Sequence, residues 1–217
     1  MEEKNILKTL QKEKFICIFR GIPTEKAADV AKALAAGGAK FIEITYNHKC
    51  ADPMEEFKKQ FEAVKAAVGD AVFLGAGTVL TTEQVDFAKD LGAAYIVSPN
   101  TDERVIRRVK EYGMVSIPGA MSPSEIVFAR ACGADIVKLY IVEDLQYIKY
   151  LQGPLGHIPM QLTCGVSVDT IPKALDAGIK CFGTRAFITD DLIKASDYAA
   201  ITERMKEHLA AIKVHEK

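Results

Sequence analysis

A lysine occupies the middle of a stretch that otherwise has the composition of a buried β-strand. Lys138 lies in IVKLY at residues 136–140. A buried lysine must lose its charge or gain a partner, and either outcome costs stability. An amine whose pKa is lowered by burial can attack a ketone to form a Schiff base, and the protonated imine is an electron sink. Lys138 is therefore a candidate nucleophile.

A second charged side chain, Glu43, lies in the apolar stretch FIEITY at residues 41–46. Because side chains alternate along a strand, Glu43 and Lys138 can both point toward one interior. A carboxylate beside the amine could move protons during carbinolamine formation, dehydration and carbon–carbon cleavage. The residue types leave a second interpretation open, namely an ion pair that only fills the interior.

The elements that must position these two residues follow a repeated pattern. Between short apolar runs lie segments with apolar residues at three-to-four spacing, which predicts strands alternating with amphipathic helices. The runs predict eight strands, at 15–20, 40–46, 72–78, 95–99, 114–119, 135–140, 158–163 and 180–184. Capping residues are expected at Thr24, Thr81, Ser122 and Ser167, and glycines that end helices at Gly38, Gly92, Gly113, Gly133 and Gly178.

Near-continuous apolar strands alternating with helices predict a parallel sheet covered by helices, the α/β class. Eight such units in 217 residues favour a closed (β/α)8 TIM barrel over an open doubly wound sheet. We therefore expect one barrel domain over residues 1–217. The segment ILKTLQKEK at 6–14 is then an additional N-terminal helix.

The barrel hypothesis also predicts where chemistry would lie. Barrels of this kind place catalytic residues at the C-terminal ends of their strands. Polar residues occur at those places in the predicted strands, at Arg20, Glu43, Thr45, Thr78, Lys138, Thr163, Thr184 and Arg185.

Composition excludes several classes of partner and site. The net charge is −1, from 28 basic and 29 acidic residues, so no overall field favours nucleic acid or an anionic membrane. The N-terminus lacks a signal-peptide core, and no apolar run reaches the length of a membrane span, so we expect a cytoplasmic protein. The five cysteines and four histidines show neither disulfide nor metal-ligand spacing, and no cofactor is indicated.

Several motifs together resemble one enzyme family. In order along the chain they are IEITYN at 42–47, GAGTVL at 75–80, VSP at 97–99, IPGAMSPSE at 117–125 and VKLY at 137–140. The chain is similar over nearly its whole length to the 2-keto-3-deoxy-6-phosphogluconate (KDPG) and 4-hydroxy-2-oxoglutarate aldolases, which are class I aldolases. Each motif is weak alone, but their shared order is specific.

The resemblance implies a role for each matching position. Lys138 matches the Schiff-base lysine, and Glu43 matches the general acid/base. Thr78, Pro99 and Arg20 match residues around the pyruvoyl carboxylate. The family's phosphate-binding elements fall on Thr163 and Gly165 after the seventh strand and on Gly183 in the eighth.

The chain departs from the family pattern mainly at the distal end of the site. Asn47 stands where many members have arginine, and Cys164 replaces a glycine that lets the backbone approach the ligand. Thr184 and Arg185 replace a glycine and a serine, so Arg185 either binds a second anionic group or blocks the site. Farther on, Ile141 replaces a proline although Glu143 is kept.

The resemblance therefore implies an aldehyde-lyase of class I. It would cleave a 2-keto-3-deoxy acid such as KDPG, or 4-hydroxy-2-oxoglutarate, to pyruvate and an aldehyde, and would work as a homotrimer. Apolar helix residues Ile126, Val127 and Phe128 are candidates for subunit contacts. Two other classes remain open. One is a phosphate-binding barrel isomerase or epimerase that uses Lys138 only as a charge, and the other is a non-catalytic metabolite-binding paralogue.

Overall fold

The computed structural model describes residues 3–140 and 144–215, and strands alternate with helices along this part of the chain. The strands are β1 Phe15–Phe19, β2 Phe41–Thr45, β3 Phe73–Gly77, β4 Tyr95–Val97, β5 Val115–Ile117, β6 Gly119–Ala120, β7 Val137–Leu139, β8 Met160–Leu162 and β9 Cys181–Thr184. The helices are α1 Glu3–Glu13, α2 Thr24–Ala36, α3 Pro53–Val68, α4 Thr82–Leu91, α5 Glu103–Glu111, α6 Pro123–Cys132, α7 Leu145–Leu155, α8 Thr170–Asp176, α9 Asp190–Ala195 and α10 Tyr198–His215, with a 3₁₀ turn at Gly69–Ala71.

All recorded strand pairs are parallel, in the order β5-β4-β3-β2-β1-β9-β8-β7-β6. The two terminal strands of this order, β5 and β6, are separated in sequence only by Pro118. β5 pairs with β4 while β6 pairs with β7, so the segment 115–120 joins both ends of the sheet. The result is a (β/α)8-like barrel, which confirms the predicted architecture at this level.

The eight predicted strands are all present, each within about two or three residues of its expected limits. The fifth is divided into β5 and β6 at Pro118, which has no N–H to donate to a neighbouring strand. The Pro118 carbonyl still accepts a 2.8 Å hydrogen bond from the backbone N–H of Lys138. The interruption therefore lies beside the candidate nucleophile.

Two of the four predicted helix caps are confirmed. Thr81 and Ser122 each form a capping box with the residue three positions later. Thr24 is wrong because Pro23 occupies the N-cap and Thr24 is already helical. Ser167 is also wrong, since α8 begins at Thr170, although its hydroxyl accepts a 3.3 Å bond from the Thr170 N–H. The glycines predicted to end helices all have positive φ, namely Gly38, Gly92, Gly113, Gly133 and Gly178.

The barrel interior is apolar at the N-terminal ends of the strands and becomes polar toward their C-terminal ends. The lower interior cluster combines strand residues such as Ile16, Phe41 and Ile136 with Ile6 and Leu10 of α1. A separate, larger apolar cluster lies between the strands and the surrounding helices. No helix in the described ranges combines the length and apolarity needed to cross a bilayer.

Candidate active site

Lys138 projects into the interior from β7 and is only 3% exposed. Burial lowers the pKa of its amine, the charge of Glu43 partly offsets that effect, and the charge of Arg20 adds to it. Its Nζ lies 5.2 Å from the centroid of the Tyr140 ring. Within the described ranges no ion pair at 4.0 Å or less is recorded for this amine. The site therefore favours a neutral amine.

Glu43 projects into the same interior from β2 and is 1% exposed. Burial raises the pKa of its carboxyl, and the charges of Lys138 and Arg20 oppose that rise. Its Oε1 is buried and has no hydrogen-bond partner among the described residues. Each of the two groups thus acts electrostatically on the other without a direct ion pair, which does not support the interpretation that they only fill the interior.

The glycines of the GAGT motif make room for side chains from both neighbouring strands. A Cβ atom added at Gly77 would lie 2.0 Å from Oε1 of Glu43. One added at Gly75 would lie 2.3 Å from the ring of Tyr95. Real Cβ atoms do not approach other atoms so closely, so β3 must carry glycine at both positions. The motif is a packing requirement of the site and more than a tight turn.

Thr78, directly after β3, is held in an unusual backbone conformation. Its φ of 59° lies in the left-handed region, which a β-branched residue rarely adopts. The Arg20 guanidinium donates a 2.9 Å hydrogen bond to the Thr78 hydroxyl, and Nε2 of His48 lies 2.9 Å from the Thr78 carbonyl oxygen. Arg20 is thereby placed next to Thr78 and within electrostatic range of Lys138 and Glu43.

A cleft of about 650 Å³ opens at the C-terminal ends of β1, β2 and β3. Arg20, Thr45, Asn47, His48 and Thr78 are among its lining residues. The side chain of Asn47 is exposed and donates a 3.2 Å hydrogen bond to Glu56. Asn47 therefore lies at the rim of the cleft, whereas Arg20 and Thr78 lie closer to the buried pair.

Pro99 follows β4 and packs against β6. A Cβ atom added at Gly119 would lie 2.2 Å from the Pro99 carbonyl oxygen, so Gly119 lets the two segments touch. Gly119 is also the register partner of Lys138. Pro99 is thus close in the fold to the strand that carries the amine.

The residues predicted for the distal end lie after β8, within β9 or directly after β9. The hydroxyl of Thr163 is buried and has no hydrogen-bond partner among residues 3–140 and 144–215, and Gly165 is exposed with φ of 63°. Gly183 accommodates a neighbouring amide, because a Cβ there would lie 2.9 Å from Nε2 of Gln161. Arg185 donates a 2.9 Å hydrogen bond to Asp190 at the start of α9 and lowers the pKa of that carboxyl.

Sequence reasoning missed two buried polar residues in the barrel. Tyr95 and Gln161 are 0% and 1% exposed, and each has a side-chain oxygen without a partner among the described residues. Gln161 is the register partner of Lys138 on β8. Both lie in apolar runs, where a tyrosine or a glutamine is ordinary for a strand residue. Each shares a strand face with the residue two positions on, Val97 or Thr163, but in a continuously apolar run this does not show which face is the interior.

Cysteines and histidines do not assemble into a metal site. In the chain as described, no group of three or more His, Cys, Asp or Glu side chains could hold an ion, and all five cysteines are free. Cys164 lies within electrostatic range of Lys138. Ile141 and Glu143, which the sequence comparison singled out, lie outside the described residues.

Comparison with known proteins decides the family. The sequence profile of the KDPG and KHG aldolases, where KHG is 4-hydroxy-2-oxoglutarate, matches residues 6–204. The chain belongs to the KDPG and KHG aldolase family. A relative, the 2-dehydro-3-deoxy-6-phosphogalactonate aldolase of Escherichia coli K12, is 33% identical over 199 residues, which cover 90% of this chain and 91% of that protein. The KHG/KDPG aldolase of the same organism is 29% identical over 194 residues, 88% of each chain.

Solved structures of the KDPG and KHG aldolase family agree with this assignment. A structure described as native KDPGal superimposes with a TM-score of 0.80 at 30% identity, covering 93% of this chain and 95% of the other. The prediction of a class I aldolase is confirmed, and so is its assignment to the aldehyde-lyases. The isomerase and non-catalytic alternatives are not favoured.

Proposed function

We propose that Lys138 is the Schiff-base residue of a pyruvate-dependent aldolase and that Glu43 is its general acid/base. The observation that carries the proposal is a buried amine with a lowered pKa that shares the barrel interior with a buried carboxylate. A neutral amine is a nucleophile at neutral pH, whereas an ordinary lysine is almost fully protonated there.

The reaction follows from these two groups. The Lys138 amine adds to the C2 carbonyl of the 2-keto acid, and Glu43 as carboxylic acid protonates the carbinolamine hydroxyl, which leaves as water to give a protonated imine. Glu43 as carboxylate removes the proton of the C4 hydroxyl, the C3–C4 bond breaks, and its electron pair moves into an enamine as the aldehyde leaves. Glu43 then returns a proton to C3, and water releases pyruvate and the free amine.

Thr78, Arg20 and Pro99 are proposed to hold the pyruvoyl end. The Arg20–Thr78 hydrogen bond places a guanidinium and a hydroxyl together at the mouth of the interior, where both can donate to a carboxylate. The exposed cation also compensates for Asn47, which cannot supply the charge of the arginine found there in many relatives. Asn47 is proposed to contact substrate only at the rim of the cleft.

The aldehyde half is proposed to carry an anionic group. The named relatives act on 2-dehydro-3-deoxy-6-phosphogalactonate and on KHG and KDPG, whose distal ends carry phosphate or carboxylate. In this chain Thr163, Gly165, Gly183 and Arg185 lie after or within β8 and β9, where backbone amides and one guanidinium can receive that group.

Arg185→Ala should reveal the distal group. If Arg185 binds an anion, kcat/KM for KDPG should fall about ten- to hundredfold, the size of one charge-assisted hydrogen bond. Cleavage of the unphosphorylated analogue should be unchanged. Asp190→Asn is the matched control, because it removes the carboxylate that competes for Arg185 and should not weaken KDPG cleavage. Equal kinetics of parent and Arg185→Ala on both KDPG and 4-hydroxy-2-oxoglutarate would remove Arg185 from the site.

Gly77→Ala should displace Glu43. The added methyl would overlap Oε1, so the carboxylate must leave its position and turnover should fall at least tenfold. Gly153→Ala in α7 is the control, because a Cβ there meets no atom within 4 Å apart from its chain neighbours and the backbone of its own helix and should leave turnover unchanged. Retention of full activity by Gly77→Ala would show that the carboxylate position does not matter.

Assembly as a homotrimer is also proposed. Ile126 is wrong as a candidate for subunit contacts, because it is 0% exposed and packs in the chain's own core. Val127 and Phe128 on the outer face of α6 are 49% and 47% exposed, and Met121 nearby is 51% exposed. Such an apolar patch suits a subunit contact. Light scattering should give three times the monomer mass at micromolar concentration, and a stable monomer there would contradict the trimer.

Three further assignments are proposed on the same basis. Residues 1–217 form one domain, with a continuous sheet through the described strands. α1 is the barrel's additional N-terminal helix, because Ile6 and Leu10 pack into the lower interior. The enzyme works on small 2-keto acids in the cytoplasm.

Reductive trapping tests the proposed function as a whole. The protein is incubated with pyruvate and borohydride, then its intact mass is measured against a sample that received borohydride alone. A pyruvate-dependent class I aldolase gains one reduced pyruvate adduct per chain. An unchanged mass would reject the Schiff-base mechanism.

A further inference from the structure

The hydroxyl of Tyr95 is a buried polar group that the mechanism above does not use. The side chain is 0% exposed, and the oxygen has no hydrogen-bond partner among the described residues. Buried polar groups in proteins are nearly always paired, with protein or with ordered water. A phenylalanine would fill the same space without burying a hydroxyl, so this oxygen requires an explanation.

The two glycines of β3 bring this hydroxyl toward Glu43. Gly75 is the register partner of both Glu43 and Tyr95, so their strands flank it directly. A Cβ at Gly75 would lie 2.4 Å from Cζ of Tyr95, the carbon that bears the hydroxyl, and one at Gly77 would lie 2.0 Å from Oε1 of Glu43. The phenol end and the carboxylate oxygen therefore lie over the same strand.

The spacing along β3 fits one bridging water. Positions two residues apart on a strand are separated by roughly 7 Å. A phenol C–O bond followed by two O–H···O hydrogen bonds through one water spans about the same length. Neither oxygen has a hydrogen-bond partner in the described part of the chain, so each can bind such a water. The water would thus pair two groups that are otherwise unsatisfied.

Tyr95 differs from the other polar groups around Glu43 because it can donate a hydrogen bond without carrying a charge. The charged groups that act on Glu43 are Lys138 from β7 and Arg20 from the end of β1, while β3 presents only glycine hydrogens. Burial, with a contribution from the charge of Glu43, raises the pKa of the Tyr95 hydroxyl. The phenol therefore stays protonated and able to donate throughout the range in which Glu43 titrates.

We infer that Tyr95 is a positioning residue for Glu43, and that its hydroxyl donates to an ordered water over β3 which in turn donates to Oε1. This hydrogen bond favours the ionised carboxylate against the effect of burial and fixes the direction of the oxygen. The catalytic meaning rests on the proposed role of Glu43. The hydrogen bond itself can be measured without turnover.

The test is Tyr95→Phe, which removes one oxygen and keeps the ring. Side-chain carboxyls of glutamate are labelled with ¹³C, the Glu43 resonance is assigned by its loss in Glu43→Gln, and its titration is followed by NMR. Without the donor, the Glu43 midpoint should move upward by roughly one pH unit. Tyr112→Phe is the control, because its hydroxyl bonds Asp86 outside the barrel and should leave the Glu43 midpoint unchanged.

Pyruvate trapping and thermal unfolding are measured on the same samples. Tyr95→Phe should still trap pyruvate, because Lys138 is unchanged, and its melting temperature should be equal or slightly lower, because one hydrogen bond is lost. A Glu43 midpoint identical in parent and Tyr95→Phe would overturn the inference, even where trapping shows that the proposed function is right. A shifted midpoint in a protein that does not trap pyruvate would support the hydrogen bond and reject the aldolase mechanism instead.

Discussion

Lys138→Met should lose essentially all aldol cleavage while the fold is kept. Methionine fills a similar volume without a charge, and burying an amine costs free energy, so the melting temperature should not fall. Removal of a covalent nucleophile typically lowers turnover on the order of 10⁶-fold. Turnover is measured by pyruvate release, with borohydride trapping in parallel.

The matched control is Lys180→Met. Lys180 is an exposed lysine just before β9 and should be silent in both assays. In the parent, the trapping rate should rise with pH as the amine deprotonates. The midpoint should lie below the ordinary lysine value of about 10.4, since burial lowers the pKa of Lys138. Trapping that persists in Lys138→Met would assign the Schiff base to another lysine.

Glu43→Gln should lower turnover by roughly a hundred- to ten-thousand-fold, the range typical of lost general acid/base catalysis. The amide keeps the shape of the side chain beside Gly77 but cannot accept a proton. Schiff-base formation should be slower but still detectable, whereas exchange of the pyruvate methyl protons with solvent should nearly stop. Unchanged methyl exchange in this variant would contradict the assignment of Glu43.

Stability provides an independent check on Glu43. Burial raises the pKa of Glu43 in the folded state above its unfolded value, so folding favours the protonated form. The stability that protonated Glu43 contributes to the parent is therefore fully present when the pH is below its unfolded-state pKa of about 4.3. It is lost as the pH rises through the folded-state pKa. Glu43→Gln has no such proton. The melting temperature of Glu43→Gln, relative to that of the parent, should therefore increase as the pH rises.

The barrel architecture could be predicted because its signal is local. Parallel strands buried on both faces are continuously apolar, and each helix shows its own period and its own glycine at the end. The division of the fifth strand was not predicted, since it depends on which neighbour each residue around Pro118 pairs with. The burial of Ile126 was missed for a similar reason. An apolar helix face is visible in sequence, but which of its residues meets the core depends on how the helix is rotated.

Lys138 and Glu43 could be singled out as candidates because a charged residue is unusual in an apolar strand, and the structure places both in the barrel interior. Tyr95 and Gln161 were missed because a tyrosine or glutamine in such a run is ordinary in sequence and becomes unusual only when burial is known. The requirement for glycine in β3 could not be predicted from the local sequence either. This requirement comes from side chains of β2 and β4, more than 15 positions away in sequence, and no local pattern encodes that contact.

The most direct test of the central claim is to map the pyruvate adduct. After reduction with borohydride, the protein is digested with trypsin, which does not cleave after an alkylated lysine. If Lys138 is the Schiff-base residue, the adduct appears on one peptide, residues 131–149, with an uncut Lys138. An adduct on any other lysine, or normal cleavage after Lys138 in the trapped protein, would contradict the account.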